Sequence, residues 1–538
     1  MKKEGRFDIP LIIGSAVILF GSVLCLLIFP EGSKAAINAA FAFCTGTMGA
    51  PVQICNVAII IGAFYIVFSK YGNIRLGETK PKYSVFSWVG MIFTAGLGCA
   101  VIYWGSIEWA FHYNSAPLVN PAGMMSEAVR YEWAFAYHWL HWGPFAEPIY
   151  TACAVTCGYL FYNKKKTPVL SYGDTLAYYA ERPGSKIIPK IVDIVFLFSV
   201  ISSCAITIGF GLPIIRYAAG YVFNFQPSQA FYYGMIFTVA FVYYISSYIG
   251  IDKGLRHMSD WNVYGVILIG LFTLFAGPTR FILDGYLSGI SLVLNHFPRM
   301  LLWLDPIGAS QFPQNWSVWN WLYMASFGPF TGVFLARISE GRTLRGTILA
   351  VVLGCPIGFF FFNGIMSWYG IYLDVHNIVD VTAMVAADQS FEAVIEIFKT
   401  LPFSKIIVSI LAIIGILFLA TTVDSSTYTA ANIVEPRRPK GTDPSPLHRL
   451  VWSVAVTMIP LACFFIGADI TVFKSLGIVV ALPILISEAF LFIRLILQLK
   501  GEYGDLSVSE IIEAHRLKLP EEKPAEPAAE PEPREING

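Results

Sequence analysis

Long runs of hydrophobic residues, separated by short polar connections, make up most of this 538-residue chain. A helix needs about 20 apolar residues to cross a bilayer, and these runs are apolar on every side, whereas the strands of a membrane barrel alternate. The pattern therefore predicts an all-α polytopic membrane protein with twelve transmembrane helices. The predicted spans are residues 9–29, 51–69, 84–113, 133–162, 190–221, 230–250, 259–282, 314–336, 346–369, 405–433, 449–467 and 471–498.

Two further stretches, 287–304 and 379–401, are amphipathic. Each is too polar or too short to cross, so we expect both to lie along the membrane interface. No small-residue cleavage pattern follows the first apolar run. We therefore expect the first helix to be retained and not to be removed as a signal peptide.

Positively charged residues fall mostly on one side of the predicted membrane. With the N-terminus in the cytoplasm, the inside connections hold 22 Lys and Arg residues and the outside connections hold 6. Cytoplasmic loops normally carry this excess, so the charges support the span count. We expect a multi-pass protein of the cytoplasmic (inner) membrane, with both termini in the cytoplasm.

The composition excludes several classes of protein. Hydrophobic residues make up 56% of the chain, and 36 basic residues balance 36 acidic ones, so a nucleic-acid partner held by positive charge is not expected. HExxH and GxSxG motifs are absent, and we expect no intramembrane cluster of metal ligands, so the chain is not predicted to be an enzyme. No cofactor is expected. A channel stays an alternative, although the polar positions are local and form no continuous stripe.

Two spans carry glycine or proline in their middle. The third reads Thr94-Ala-Gly-Leu-Gly and the eighth reads Phe327-Gly-Pro-Phe-Thr-Gly. Such residues weaken a helix, and membrane proteins tolerate the exposed backbone where it lines a cavity. Transporters built from inverted repeats place interrupted helices at matching positions of two halves. Because these breaks lie five spans apart, we expect both helices to unwind and to meet at a central cavity.

Aromatic and acidic residues gather near these positions. Trp142 and Tyr150 lie in the fourth span, and ring faces of this kind attract a cation by about 2 kcal/mol or more when water is excluded. Glu108 and Glu147 are carboxylates inside spans, where each needs a partner or a task. We expect Glu108 to be a hydrogen-bonded structural carboxylate near the outer mouth.

Hydroxyl groups interrupt the apolar part of the tenth span, at Thr421 and Thr422. Na⁺ is a hard cation that takes oxygen ligands, and two adjacent hydroxyls beside the carbonyls of a broken helix would supply them. Serine and threonine hydroxyls also bond back to their own helix. From the spacing alone, both interpretations stay open.

Together these residues resemble the betaine/choline/carnitine transporter family. The resemblance covers residues 8 to 498, and the sequence motifs are most similar to those of the carnitine-exchanger branch. The matching motifs are FTAGLG and GSIEW in the third span, HWGPF in the fourth, FPRMLLWLDPIG before the eighth, WSVWNWLYMASFGPFTGVFLARISEGRTLRG across it, and TTVDSST in the tenth.

The resemblance implies a LeuT-like fold, in which a five-plus-five inverted repeat follows two peripheral helices, and a homotrimer. It also implies a substrate with a quaternary ammonium or related group, often zwitterionic. The predicted regions are a cytoplasmic N-terminus (1–8), two peripheral helices (9–83), the first repeat (84–282), an interfacial helix (283–313), the second repeat (314–498) and an acidic disordered tail (499–538).

The family's binding residues carry over incompletely. Positions matching the family's aromatic box and the third-span aromatic are Phe111, Trp142, Glu147, Tyr150, Tyr323, Met324 and Phe327. Glu147, Tyr323 and Met324 stand where the family normally has tryptophan. Either the remaining rings still surround a methylated ammonium, or Glu147 pairs directly with a cation that bears N–H donors.

The resemblance also bears on coupling. Na⁺-coupled members place hydroxyls where Thr421 and Thr422 stand, and carbonyls at Thr94 and Leu97 would complete that site. Exchangers that ignore Na⁺ fill it with an arginine, whereas the corresponding residue here is Asn262. We therefore expect a Na⁺ symporter working by alternating access. The alternative is an ion-independent exchanger of the carnitine/γ-butyrobetaine type.

Overall fold

The computed structural model describes residues 7–97, 100–115, 126–165, 170–181, 187–249, 256–308, 310–435, 444–467 and 470–517. Within these ranges the chain is helical and has no strand, apart from one isolated bridge between Arg75 and Thr343. The α-helices are α1 (Ile9–Ile28), α2 (Pro30–Ala42), α3 (Gly49–Phe68), α4 (Val85–Leu97), α5 (Ala100–Asn114), α6 (Glu127–His141), α7 (Pro148–Gly158), α8 (Tyr172–Tyr179), α9 (Ile188–Phe223), α10 (Gln229–Ile249), α11 (Arg256–Ala276), α12 (Thr279–Leu302), α13 (Trp319–Ile338), α14 (Leu344–Leu349), α15 (Cys355–Val375), α16 (Val381–Ala386), α17 (Ser390–Lys399), α18 (Ser404–Val434), α19 (Pro446–Phe465), α20 (Ile470–Ser475), α21 (Ile478–Tyr503) and α22 (Val508–Ala514).

The predicted all-helical membrane fold is confirmed. Among the residues described, eight helical segments are long and apolar enough to cross a bilayer, and the count of twelve spans stays a prediction. These eight are Ile9–Ile28, Gly49–Phe68, Ile188–Phe223, His257–Ala276, Leu344–Val375, Ser404–Val434, Pro446–Phe465 and Val472–Tyr503. Among the described residues, the other four predicted spans also fall on helix, except that turns at residues 142–147 interrupt the fourth.

The helices outside this set include the most deeply buried ones. Nearly every residue of α5 and α13 is buried, although both helices carry polar and aromatic side chains. Polar groups are tolerated at membrane depth when protein surrounds them. These helices therefore form the interior of the bundle, where α13 packs on α7 and α21.

The predicted break in the eighth span is wrong, because α13 runs without interruption through Gly328 and Pro329. Proline removes one backbone donor and leaves carbonyls to be satisfied from elsewhere. Here the hydroxyls of Ser199 and Ser203 on α9 both donate to the carbonyl oxygen of Ser326. Two neighbouring hydroxyls thus support the backbone where the sequence pattern indicated unwinding.

The predicted break in the third span falls where α4 ends at Leu97 and α5 begins at Ala100. The residues between them, Gly98 and Cys99, lie outside the described part of the chain, so the expected unwinding there stays a prediction. The expected meeting of two unwound helices is not found, since α13 is continuous.

The amphipathic stretches form α12, α16 and α17, and their expected position at the membrane interface stays a prediction. The polar segment after the last span differs from the expected disordered tail at its beginning. The helix α21 continues to Tyr503, and α22 follows it with Ile511 buried. The remainder of the predicted tail, residues 518–538, lies outside the described residues.

Candidate functional site

The fourth predicted span is interrupted, which the sequence analysis did not anticipate. Residues 142–147 form turns between α6 and α7, and Gly143-Pro144 together with Pro148 are the sequence signals that could have shown it. Trp142 and Glu147 stand at the two ends of this break and are only 1% and 0% exposed. The break therefore directs a ring and a carboxylate into the protein interior.

Aromatic rings continue from Trp142 towards α13. Trp142 stacks on Phe359 with ring centroids 4.8 Å apart, and its ring lies 6.1 Å from that of Tyr323. Tyr323 in turn lies 5.0 Å from Phe327, one turn further along the helix. The structure thus brings the predicted rings of the fourth and eighth spans into one buried set.

Two more of the predicted residues, Tyr150 and Met324, contact each other where α7 packs on α13. The hydroxyl of Tyr150 donates to the sulfur of Met324 at 3.0 Å. Phe111 does not touch this set directly, since its ring contacts Trp104 at 5.9 Å and Trp316 at 5.6 Å. Phe111 therefore belongs to a neighbouring group of tryptophans.

Glu147 has no nitrogen or oxygen partner among the described residues for either carboxylate oxygen. The hydroxyl of Tyr323 has no partner either, and the thiol of Cys355 is a polar neighbour of the carboxylate. An unpaired buried carboxylate is costly in membrane interiors and marks a functional position. Such a carboxylate suits the positive end of a small ligand.

Lys474 is a residue that the sequence analysis missed, although a lysine within an apolar run is itself a signal. Its ammonium lies 4.0 Å from the ring centroid of Trp316 and 4.2 Å from that of Trp319. The indole of Trp319 also donates to the Lys474 carbonyl at 3.2 Å. With Phe41 and Asn315, Trp316 and Lys474 line a pocket of about 290 Å³. These rings already accommodate an ammonium group.

The predicted ion-site residues also come together. The hydroxyl of Thr422 lies 3.5 Å from the carbonyl oxygen of Thr94, and the amide nitrogen of Asn262 lies 3.5 Å from the hydroxyl of Thr421. Thr94 shares a 2.8 Å hydrogen bond with Ser259. This buried group joins α4, α11 and α18.

Oxygen atoms dominate that group. The side-chain oxygen of Asn262 has no partner among the described residues, and all four hydroxyl and amide side chains are fully buried (Thr94, Asn262, Thr421, Thr422). Leu97 ends α4 one turn beyond Thr94, where helix carbonyls lose their intrahelical donors. Such a donor set fits a hard monovalent cation and offers no sulfur or imidazole ligand.

Glu108 lies within a cluster of histidines from α5 and α6. Its Oε1 lies 3.4 Å from Nε2 of His112 and 3.1 Å from Nδ1 of His141, and its Oε2 lies 3.1 Å from Nδ1 of His138. The Trp142 indole donates to the same Oε2 at 2.5 Å. Glu108 is thus hydrogen-bonded and buried, as expected.

The expectation that no intramembrane cluster has metal-ligand spacing is wrong. Three side chains each offer one ligand atom, and these three atoms lie within 4.8 Å of one another (Glu108, His112 and His141). The i, i+4 spacing of Glu108 and His112 was visible in the sequence and places both on one helix face. His141 joins them only through tertiary packing, which periodicity does not reveal.

A further buried carboxylate, Glu488 on α21, was also missed. Neither of its oxygens has a partner among the described residues, and they pack against the backbone of Gly328. A Cβ at position 328 would overlap the carboxylate, so glycine leaves room for it there. The glycine that indicated a helix break instead makes room for an acidic side chain.

Comparison with known proteins shows which family the chain belongs to. A family model for betaine/carnitine/choline transporters matches residues 10–504. A carnitine transporter of Acinetobacter baumannii is 31% identical over 88% of this chain and 86% of its own length. The uncharacterized transporter YeaV of Escherichia coli K12 is 33% identical over 83% and 92%, and an ectoine/hydroxyectoine transporter of Virgibacillus pantothenticus is 27% identical over 88% and 93%. The chain therefore belongs to the betaine/carnitine/choline transporter family, whose members are transporters and not enzymes.

Proposed function

We propose that this chain is a Na⁺-coupled symporter of a small zwitterionic or cationic amine compound. The observation that carries the proposal is the carboxylate of Glu147, which is fully buried, has no nitrogen or oxygen partner among the described residues and stands at the opposite end of the α6–α7 break from Trp142. A quaternary ammonium group gains from the ring faces, and a cation with N–H donors gains in addition from the carboxylate. The substrate's positive end would lie between them.

The relatives support a substrate of this size and charge. Their names include carnitine, a quaternary ammonium compound, and ectoine, whose delocalised cation bears N–H groups. Glu147 favours the second kind, because charge-assisted hydrogen bonds to a buried carboxylate are roughly twice as strong as neutral ones. We therefore propose a substrate whose cation donates hydrogen bonds.

The oxygen groups of Thr421, Thr422 and Thr94 support the proposed coupling to Na⁺, with the carbonyl of Leu97 as the fourth proposed ligand. A bound ion and substrate drive alternating access only to the extent that they bind the occluded state more tightly than the open one. A Na⁺ ion here would tie α4 to α18, since Thr94 and Thr422 lie on these two helices. That link is how ion binding would favour the closed arrangement.

Uptake into proteoliposomes tests the proposal. The purified protein should accumulate ectoine in preference to glycine betaine and carnitine under an inward Na⁺ gradient, and replacing Na⁺ with K⁺ should abolish the accumulation. Glu147→Trp should restore ordinary betaine or carnitine uptake and lose ectoine uptake. Efficient betaine and carnitine uptake by the wild type would contradict the role of Glu147.

The same vesicles distinguish the alternatives. An exchanger would show uptake that depends on internal substrate and ignores Na⁺, and a channel would equilibrate substrate without accumulating it. We also propose that the protein forms a homotrimer, as the family resemblance implies. Mass measurement of the protein in native nanodiscs checks this, and a monomeric mass would contradict it.

A further inference from the structure

We propose that Glu108, His112 and His141 bind a divalent transition-metal ion, with Zn²⁺ as the probe. All three side chains are fully buried. Glu108 Oε1 lies 3.4 Å from His112 Nε2 and 3.1 Å from His141 Nδ1. Zn²⁺ bonds of about 2.0–2.1 Å in a tetrahedron require ligand atoms about 3.3 Å apart. Both distances from Glu108 already match that spacing, and all three ligand atoms lie within 4.8 Å of one another.

The hydrogen bond on the far side of His112 fixes its protonation. Nδ1 of His112 lies 3.1 Å from the carbonyl oxygen of Ala134, which only accepts, so Nδ1 carries the proton. Nε2 of the neutral ring then presents a lone pair towards Glu108 and makes no hydrogen bond to a described residue. Two lone pairs facing each other in a dry site repel unless a cation lies between them. A metal ion would remove that repulsion.

His141 has the same arrangement of an inner nitrogen and an outer partner. Its Nδ1 faces Glu108 and its Nε2 lies 3.0 Å from the hydroxyl of Ser317. Metal-binding histidines almost always place the other ring nitrogen on an oxygen in this way, which orients the ring. A carbonyl for His112 and a hydroxyl for His141 therefore supply the outer partners of a metal site.

Helical spacing makes the cluster a link between two helices. Glu108 and His112 are one turn apart on α5, and His138 and His141 are one turn apart on α6. Carboxylate and histidine pairs on facing helices are a common way to build metal sites in bundles. His138 lies 3.1 Å from the other oxygen of Glu108 and is placed to stabilise it or to complete the coordination.

The site also touches the proposed substrate position, although the metal proposal does not depend on it. Glu108 accepts the indole hydrogen bond of Trp142 through Oε2, while Oε1 faces the metal ligands. An ion at this position would hold the carboxylate and, through it, the ring of Trp142. Metal occupancy would therefore change substrate affinity without contact between ion and substrate.

Metal binding to the purified full-length chain tests the inference. After chelator treatment and desalting, the protein in detergent should bind about one Zn²⁺ per chain by equilibrium dialysis, and Co²⁺ should give the intense visible absorption of a four-coordinate site. His112→Gln and His141→Gln each remove a direct ligand, so each should weaken Zn²⁺ binding by more than the about 10–100-fold that the loss of an outer partner costs. The matched control, His376→Gln, changes an exposed histidine outside the cluster and should bind as the wild type does.

Other outcomes overturn the proposal. No tight Zn²⁺ binding and no visible Co²⁺ bands in the wild type would show that the cluster is not a metal site. Equal affinity in the wild type, His112→Gln and His376→Gln would place the bound ion elsewhere. Because the wild-type Co²⁺ spectrum needs no variant, a variant that fails to fold does not prevent the test. Transport is not the measured quantity, so these results are separate from those for the proposed function.

Discussion

Trp142 donates its indole hydrogen to Oε2 of Glu108 over 2.5 Å while its ring stacks on Phe359 at 4.8 Å. One side chain therefore joins the buried histidine cluster to the aromatic set that we propose to bind substrate. A hydrogen bond to a charged group contributes about 1.5–3 kcal/mol, roughly twice a neutral one. The orientation of this ring is thus determined by a carboxylate outside the substrate position.

Trp142→Phe should lower both stability and substrate affinity. The variant keeps a ring for stacking but removes the donor, so we expect a loss of about 1.5–3 kcal/mol in stability and a several-fold increase in KM. Trp321→Phe is the matched control, since Trp321 is also buried and donates 2.8 Å to Gln53, away from the aromatic set. Thermal unfolding in detergent and uptake kinetics measure both effects. An unchanged KM in Trp142→Phe would contradict the proposed link.

Much of the helical architecture follows from apolar periodicity, because spans of this length need no tertiary information. The site depends more on contacts between distant segments. Pro329 indicated a break, but Ser199 and Ser203, more than 120 positions earlier, support the backbone there. Conversely, the turn at Gly143-Pro144 was not predicted, because the residues on both sides are apolar enough to indicate one continuous span.

For the candidate ion ligands too, the sequence indicates single residues, whereas their contacts depend on how the helices pack. Thr421 and Thr422 could be singled out because hydroxyls are unusual in an apolar run. The approach of Thr422 to Thr94 and of Asn262 to Thr421 depends on how α4, α11 and α18 pack. The family resemblance supplied that pairing, and residue spacing alone left it open. Neither residue spacing nor the family resemblance indicated that His141 lies beside Glu108.

Thr422→Val should weaken Na⁺ dependence specifically. Removing the hydroxyl takes away one proposed ligand, so we expect the Na⁺ concentration for half-maximal uptake to rise about tenfold, as a loss of about 1.4 kcal/mol in ion binding would give. Thr429→Val is a matched control on the same helix, since the Thr429 hydroxyl donates to the carbonyl of Ser425 at 2.9 Å. Uptake measured against Na⁺ concentration distinguishes them. Equal Na⁺ dependence in the two variants would exclude the proposed ion position.

Gly332→Ala should destabilise the contact between α7 and α13. An added Cβ would overlap the side chain of Cys153 and lie 3.0 Å from the backbone nitrogen of Ala154. Overpacking of this kind costs about 1–3 kcal/mol. Gly234→Ala on α10 is the control, because its added Cβ meets no atom within 4 Å and alanine favours helix. Thermal unfolding should show a lower Tm for Gly332→Ala and an equal or higher one for Gly234→Ala. A Tm for Gly332→Ala at or above the wild type would contradict the tight packing.

The polar end of the chain has two parts that should respond differently to truncation. Lys70 donates to the carbonyl oxygens of Gly504 and Leu506, both at 2.7 Å, and Ile511 on α22 is buried. Burying one such side chain contributes about 1.5–3 kcal/mol, so a chain ending at 503 should unfold at a lower temperature than the full chain. A chain ending at 517 keeps all of these contacts, and we expect its Tm and its uptake rate to match those of the full-length protein. A comparable loss of Tm in both truncations would show that residues after 517 contribute to the fold, whereas no loss in the shorter chain would show that the docking of α22 adds no stability.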